Sequence, residues 1–191
     1  MIIPEEVGQK IDEIYELLVR ADQKDHEIWF EYVLFSWQWW LGVILTIIPW
    51  TLWWIFRKKD STGRLLCGGF FLISTSMLLD SFGTELGFWD YRYETLPFLP
   101  SFLPWDLTII PVLFLFTVQF KTTISPILKA IFYSVVSSFI GEAVFEWLGY
   151  YEPINWPTLY SFPIHFFIYL IGHYLVTTNN FEVLEERHEN R

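Results

Sequence analysis

Cysteine is almost absent from this chain of 191 residues: Cys67 stands alone, which excludes an intrachain disulfide framework and any cysteine-based metal site. Positive charge is scarce as well. Twelve Lys and Arg face 22 Asp and Glu, a formal net charge of −10, so no surface could neutralise a row of phosphates and nucleic acid is excluded as a partner. The first 30 residues hold no apolar run, so no cleavable signal peptide is expected and the first apolar segment acts as its own insertion signal. No internal repeat or low-complexity tract is evident.

What the chain has instead is apolar and aromatic surface. It is 53% hydrophobic and 21% aromatic, with 19 Phe, 11 Trp and 10 Tyr, and its mean hydropathy is +0.33. A soluble domain of this length does not carry such a load, which predicts a membrane protein. The predicted fold is all-α: a polytopic membrane bundle of five transmembrane helices over 35–178. An acidic amphipathic helix precedes it in 1–34, and a charged tail follows in 179–191.

The N-terminal helix is read over 4–31. Val7, Ile11, Ile14, Leu18 and Ala21 recur at steps of four and three, while Glu5, Glu6, Asp12, Glu13 and Glu16 fill the other faces. Pro4 suits a first helical position and the early acids suit a helix N-terminus. A seam of about four turns is marginal alone in water, so it calls for a second copy, a partner protein, the loops or the bilayer surface. Its acidic face makes an anionic lipid surface the poorest choice.

Five apolar segments follow, at about 35–56, 65–82, 105–120, 124–147 and 161–176. The first, at about 22 residues and 1.5 Å per residue, covers a hydrocarbon core of roughly 30 Å. Tryptophans 37, 39 and 40 at one end and 50, 53 and 54 at the other read as aromatic belts, and Pro49 is expected to kink the last turns. Arg57, Lys58, Lys59, Arg64, Lys121, Lys129, Arg187 and Arg191 fall on one side of such a bundle, against Lys10, Arg20, Lys24 and Arg92 on the other. Eight against four predicts the cell membrane with the N-terminus outside and the C-terminus cytoplasmic.

The stretch 79–106, LDSFGTELGFWDYRYETLPFLPSFLPWD, then lies outside, carrying five carboxylates against one base. Asp80 falls at a helix C-terminus, where the dipole disfavours an anion, so it needs Arg92, a proton or a cation. Asp106 is placed to cap the third segment. In the fourth segment Ser134, Ser138, Glu142 and Glu146 are spaced four apart on one face, and in the fifth His165, Tyr169 and His173 repeat the spacing. Ionisable groups at membrane depth face the bundle interior or a wet cavity. The candidate pocket is therefore Asp80, Arg92, Asp106, Glu142, Glu146, His165, Tyr169 and His173, with Glu85, Asp90 and Glu94 read as solvated. His165 and His173 are eight apart, so they cannot hold one ion from one helix face. No metal or cofactor is specified.

WQWW with LGVILTIIPWTLWW, LLDSFGTELGFWDY, PWDLTIIPVLFLFTVQF, FEWLGYY and WPTLYSFPIHFFIY together resemble a family of small five-span membrane proteins of Gram-positive bacteria whose activity is uncharacterised. The resemblance covers residues 29–178 and implies the five-span fold, but it carries over no activity, cofactor or catalytic residue. A fainter resemblance is to membrane carotenoid cyclase domains, in which an aromatic turn precedes a proline-led acidic motif. Pro104-Trp105-Asp106 matches that motif without its paired glutamates. The expected function is a binding, sensing or assembly protein of the lipid bilayer with an outward acidic and aromatic pocket. The alternatives are an enzyme acting on an isoprenoid or lipid by carboxylate acid–base chemistry, and a proton or cation carrier.

Overall fold

The structure, a computed structural model, describes residues 3–99 and 101–178, so the charged tail expected at 179–191 lies outside the described residues. Helices dominate. Helix α1 is Glu5–Ile28, α2 Trp37–Phe56 and α3 Thr62–Glu85. A π-helical stretch, Pro104–Ile109, runs into α4, Ile110–Gln119. Helix α5 (Pro126–Ser134) continues through another π stretch, Val135–Glu142, into α6 (Ala143–Trp147), and α7 is Ser161–Thr177. Two three-residue strands, β1 (Trp89–Tyr91) and β2 (Tyr151–Pro153), pair antiparallel with Tyr91 opposite Tyr151. That ribbon is an addition to the expected all-α fold.

Four helices are long and apolar enough to cross a membrane: Trp37–Phe56, Lys59–Glu85, Pro126–Trp147 and Thr158–Thr177. Their outer faces expose large apolar side chains in rows, such as Ile44, Ile47, Ile48 and Leu52 on α2. Contiguous apolar surface of this kind is foreign to a soluble monomer and natural against lipid tails. Pro104–Gln119 is a shorter apolar helix, and α4 is the most enclosed element of the bundle. Ile110, Val112, Phe114, Leu115 and Val118 are all buried there against α2, α3 and α5.

Close approach of helices depends on small residues, which admit van der Waals contact between backbones. Gly172 on α7 is one such point: a Cβ there would lie 2.7 Å from Leu72 and 2.9 Å from Phe114. Pro49 sits inside α2, which continues past it to Phe56. Trp37, Trp40 and Trp54 are exposed, as the belt reading of the tryptophans requires. Trp53 is fully buried and is no belt residue, while Trp39 and Trp50 are partly buried, their indole N–H groups donating to the carbonyls of Thr95 (3.1 Å) and Leu107 (2.8 Å) and so tying α2 to the loop after α3 and to the π stretch Pro104–Ile109.

Helix α1 buries none of its residues. Ile11, Ile14 and Leu18 are about half exposed or more, so the apolar seam has no cover within the described chain. Only its C-terminal end is docked, where His26 packs on Phe98 and the buried Trp29 donates its indole N–H to the Glu94 carbonyl at 2.8 Å.

Candidate functional site

The sequence placed Asp80 in an awkward position, and the fold resolves it with donors. Asp80 is buried near the C-terminal end of α3. Its Oδ1 accepts the Trp89 indole N–H (2.8 Å) and the Tyr91 hydroxyl (2.7 Å), while Oδ2 accepts the backbone N–H of Phe102 (3.0 Å). A buried carboxylate with three donors offsets the loss of water that would otherwise make it costly. Burial, and next the Asp80 charge, push the Tyr91 hydroxyl well above its usual range, so it stays protonated and donates. The expected Arg92–Asp80 pair does not form. Side chains alternate along a strand, so Trp89 and Tyr91 face Asp80 while Asp90 and Arg92 face away. Arg92 instead bonds Glu152 through both Nε and Nη2 and meets Asp90 at 3.0 Å, on an exposed rim.

Gly83 is what allows the indole in. A Cβ at that position would overlap the six-membered ring of Trp89, which packs against the helix about one turn beyond Asp80.

Asp106 is buried too, but it is not the cap expected of it: the helix beginning at Pro104 has no side-chain cap. One of its oxygens accepts the Ser76 hydroxyl from α3, and the other, Oδ2, is buried with no partner. Ser76 lies four residues before Asp80, so one face of α3 presents both groups to the start of the neighbouring helix.

The fourth-segment stripe is reshaped by the π stretch Val135–Glu142. Its i→i+5 bonding winds the helix more loosely between Ser134 and Glu142, after which Ala143–Trp147 is again α-helical. Ser134, Ser137, Ser138 and Glu142 are buried, whereas Glu146 swings out and is exposed. Glu146 therefore leaves the candidate site, although its charge still reaches Glu142. Glu142 lies beside Ser161, which accepts the Trp156 indole N–H at 2.9 Å, and its Oε2 is buried without a partner.

A cavity of about 180 Å³ joins these groups. Asp80, Asp106, Glu142 and His165 all line it, between walls formed by Tyr91, Trp89 and Trp156. Leu79 and Phe82, also in its lining, are exposed on the outside of α3 (Phe82 at 63%), so the cavity reaches the apolar outer surface of the bundle. His165 is held by polar neighbours: Nδ1 lies 3.0 Å from the Ser161 carbonyl and 3.2 Å from the Ser138 hydroxyl.

The remaining expected residues are elsewhere. Tyr169 is a core residue between Phe114 and Tyr133, its hydroxyl unpartnered, and it lines neither cavity. His173 lines a different cavity at the opposite end of the bundle. Of eight candidates, four converge. The residues that sequence spacing missed are the donors Trp89, Tyr91, Ser76 and Ser161, and the helix-terminal position of Asp80 was the signal that donors had to come from a nearby loop. Among the described residues no group of three or more His, Cys, Asp or Glu side chains is placed to hold a metal ion.

Glu94, read as solvated, is half-buried instead. Burial, followed by the charges of Asp25, Asp90 and Asp80, pushes its carboxyl up to about 8.

Compared with known proteins, the chain matches no family model, no curated protein and no solved structure. The functional reading therefore rests on geometry.

Proposed function

We propose that this protein is a five-span protein of the cell membrane that binds a small amphiphile with a cationic, hydrogen-bond-donating head in the cavity between Asp80 and Glu142. The observation that carries the reading is the pair of buried carboxyl oxygens, Asp106 Oδ2 and Glu142 Oε2, which line one cavity and lack a well-formed hydrogen bond, although Asp80 and Ser161 stand beside them. Buried acceptors left unmet are costly, on the order of 1–3 kcal/mol each and more for charged groups. A primary ammonium carries three donors and the opposite charge, so it answers both. Aromatic walls add cation–π attraction, and the opening at Leu79 and Phe82 suits an apolar tail lying along the bundle surface.

Support for five spans comes from Pro104–Gln119. It is short for a crossing, yet it is enclosed by other helices and so need not match the bilayer by itself. Support for the orientation comes from the bases: Arg57, Lys58, Lys59 and Lys121 lie in the turns at the far end from the cavity, as a cytoplasmic face at that end and an outer N-terminus require. The uncovered seam of α1 is where assembly with a second copy is placed. A sensing role would follow if ligand in the cavity altered the Asp80–Trp89–Tyr91 anchor and thereby the loop on which α1 docks.

The test uses octylammonium, octanol and octanoate, with binding read from tryptophan fluorescence of the detergent-solubilised protein, since Trp89, Trp105 and Trp156 line the cavity. Octylammonium is expected to bind most tightly, and Glu142→Gln to weaken it about tenfold or more, as loss of a charged hydrogen bond implies. Equal binding of octylammonium and octanoate, or an unaffected Glu142→Gln, rejects the reading.

A further inference from the structure

At the end of the bundle opposite the acidic cavity lies a second one, of about 320 Å³, whose lining includes His173 of α7 with Lys129, Lys58 and Arg64. His165, eight residues earlier on the same helix, lines the acidic cavity. At 1.5 Å per residue the two histidines are about 12 Å apart along α7, so about two turns of protein separate the cavities there.

Those two turns hold side chains that both give and take protons. Tyr169 stands midway between the histidines on α7, and Tyr133 of α5 packs against it. The rings succeed one another from one cavity to the other. Their centroids lie 6.0 Å apart from His165 to Tyr133, 5.2 Å from Tyr133 to Tyr169 and 6.1 Å from Tyr169 to His173. Both tyrosines are fully buried. The Tyr133 hydroxyl donates to the Ile110 carbonyl at 3.3 Å with Ser137 beside it, whereas the Tyr169 hydroxyl has no partner.

The file continues at its outer end. The Ser138 hydroxyl and the Ser161 carbonyl lie 3.2 Å and 3.0 Å from His165 Nδ1, Ser161 stands beside Glu142, and the exposed Glu146 follows one turn later. Ser137, Ser138 and Glu142 belong to the π stretch Val135–Glu142, a helical form that recurs at functional sites. A purely apolar core would not call for this composition, because phenylalanine fills the space of Tyr169 without burying an unmet hydroxyl. Steps of four residues along α7 are about 6 Å, and one water with two hydrogen bonds of about 2.8 Å spans nearly that distance. Lys129 and Arg64 give N–H groups to the carbonyls of Val118, Phe120 and Thr178, which keeps them out of the file.

We infer that His165, Tyr133, Tyr169 and His173 form a proton relay across the bundle, from Glu142 in the acidic cavity to water in the inner one. Each step breaks one N–H or O–H bond and forms another. A proton taken up by Glu146 and Glu142 passes to the imidazole of His165, which releases one from its other nitrogen. Each tyrosine oxygen accepts a proton as its own leaves, and His173 gives the last to water. The proton gradient drives the transfer, so no oxidant, reductant or cofactor enters. The relay needs no ligand in the acidic cavity and is independent of amine binding there.

The test places full-length protein in phosphatidylcholine liposomes that enclose the pH dye pyranine, under a pH gradient with potassium and valinomycin to balance charge. Internal pH is expected to relax faster than in protein-free liposomes. Tyr169→Phe keeps the ring and loses the hydroxyl, and it should return the rate to the protein-free level. Tyr174→Phe, exposed on the same helix, should leave the rate unchanged. A rate no faster than that of protein-free liposomes overturns the inference, and so does Tyr169→Phe conducting like the unmodified protein. Sodium crossing as fast as protons also overturns it, since that marks a leak rather than a relay. Should Tyr169→Phe fail to fold, His173→Gln takes its place, and undiminished proton flux in that variant overturns the relay.

Discussion

Asp80→Asn isolates the anchor that holds the loop to α3. The carboxylate accepts from Trp89, Tyr91 and the Phe102 N–H at 2.7–3.0 Å. An asparagine of the same shape offers one acceptor oxygen, and its NH₂ group must then point at a donor. One of the three bonds is lost outright, and a buried N–H or O–H is left unmet. A hydrogen bond to a charged group contributes about 1.5–3 kcal/mol, and an orphaned buried donor costs about 1–3 kcal/mol. The expected destabilisation is therefore about 3 kcal/mol, a large share of a typical stability of about 5–15 kcal/mol. Reversible unfolding in mixed micelles with increasing sodium dodecyl sulfate measures it, with Glu146→Gln as an exposed control expected to stay within about 0.5 kcal/mol. Trp89→Phe removes one donor and leaves the acceptor, so it should cost less, and the double variant should show a coupling of about 1–2 kcal/mol. If Asp80→Asn matches the unmodified protein within about 0.5 kcal/mol, the carboxylate is not the acceptor of three donors and the anchor is refuted.

Two further outcomes are expected. Glu94 is held up at about 8 by burial and by neighbouring acids, against 4.5 ordinarily. A raised carboxyl binds its proton more tightly when folded, so this contribution is fully present below about pH 4.5 and is lost as pH rises toward 8. The melting temperature should therefore fall between about pH 4.5 and pH 8, and Glu94→Gln should flatten that fall; parallel curves for the two proteins contradict it. Light scattering of the detergent-solubilised protein should give the mass of an assembly of copies, and Ile11→Lys with Ile14→Lys on the exposed seam of α1 should return it to one chain; an unchanged mass contradicts assembly through α1.

Periodicity alone was enough to find the helices. Apolar runs bounded by Arg57-Lys58-Lys59, by Lys121 and by proline-rich loops leave little choice of boundary, because lipid or a packed core must take the apolar surface and the charges must stay out. The expected segments at 35–56 and 161–176 became Trp37–Phe56 and Ser161–Thr177. The seam of α1 was legible for the same reason, though not what covers it.

The partners of the polar groups were not legible. Arg92 is the nearest base in sequence to Asp80, yet a three-residue strand turns it to the other face and gives Asp80 to Trp89 and Tyr91. Glu142 and Glu146 share a face in an ideal helix, yet Glu142 is buried beside Ser161 and Glu146, one turn on in α6, is exposed.

On its own, then, the sequence determined that the chain forms apolar helices, where they end, and at which end its acids and bases gather, since each follows from local hydropathy and spacing. Tertiary structure decided which acids meet: Asp80, Asp106, Glu142 and His165 come from four separate helical segments, and only the packing of those segments sets the distances between them. It also decided that Lys129 turns inward to the end of α4, creating a basic cavity that no spacing along the chain announces.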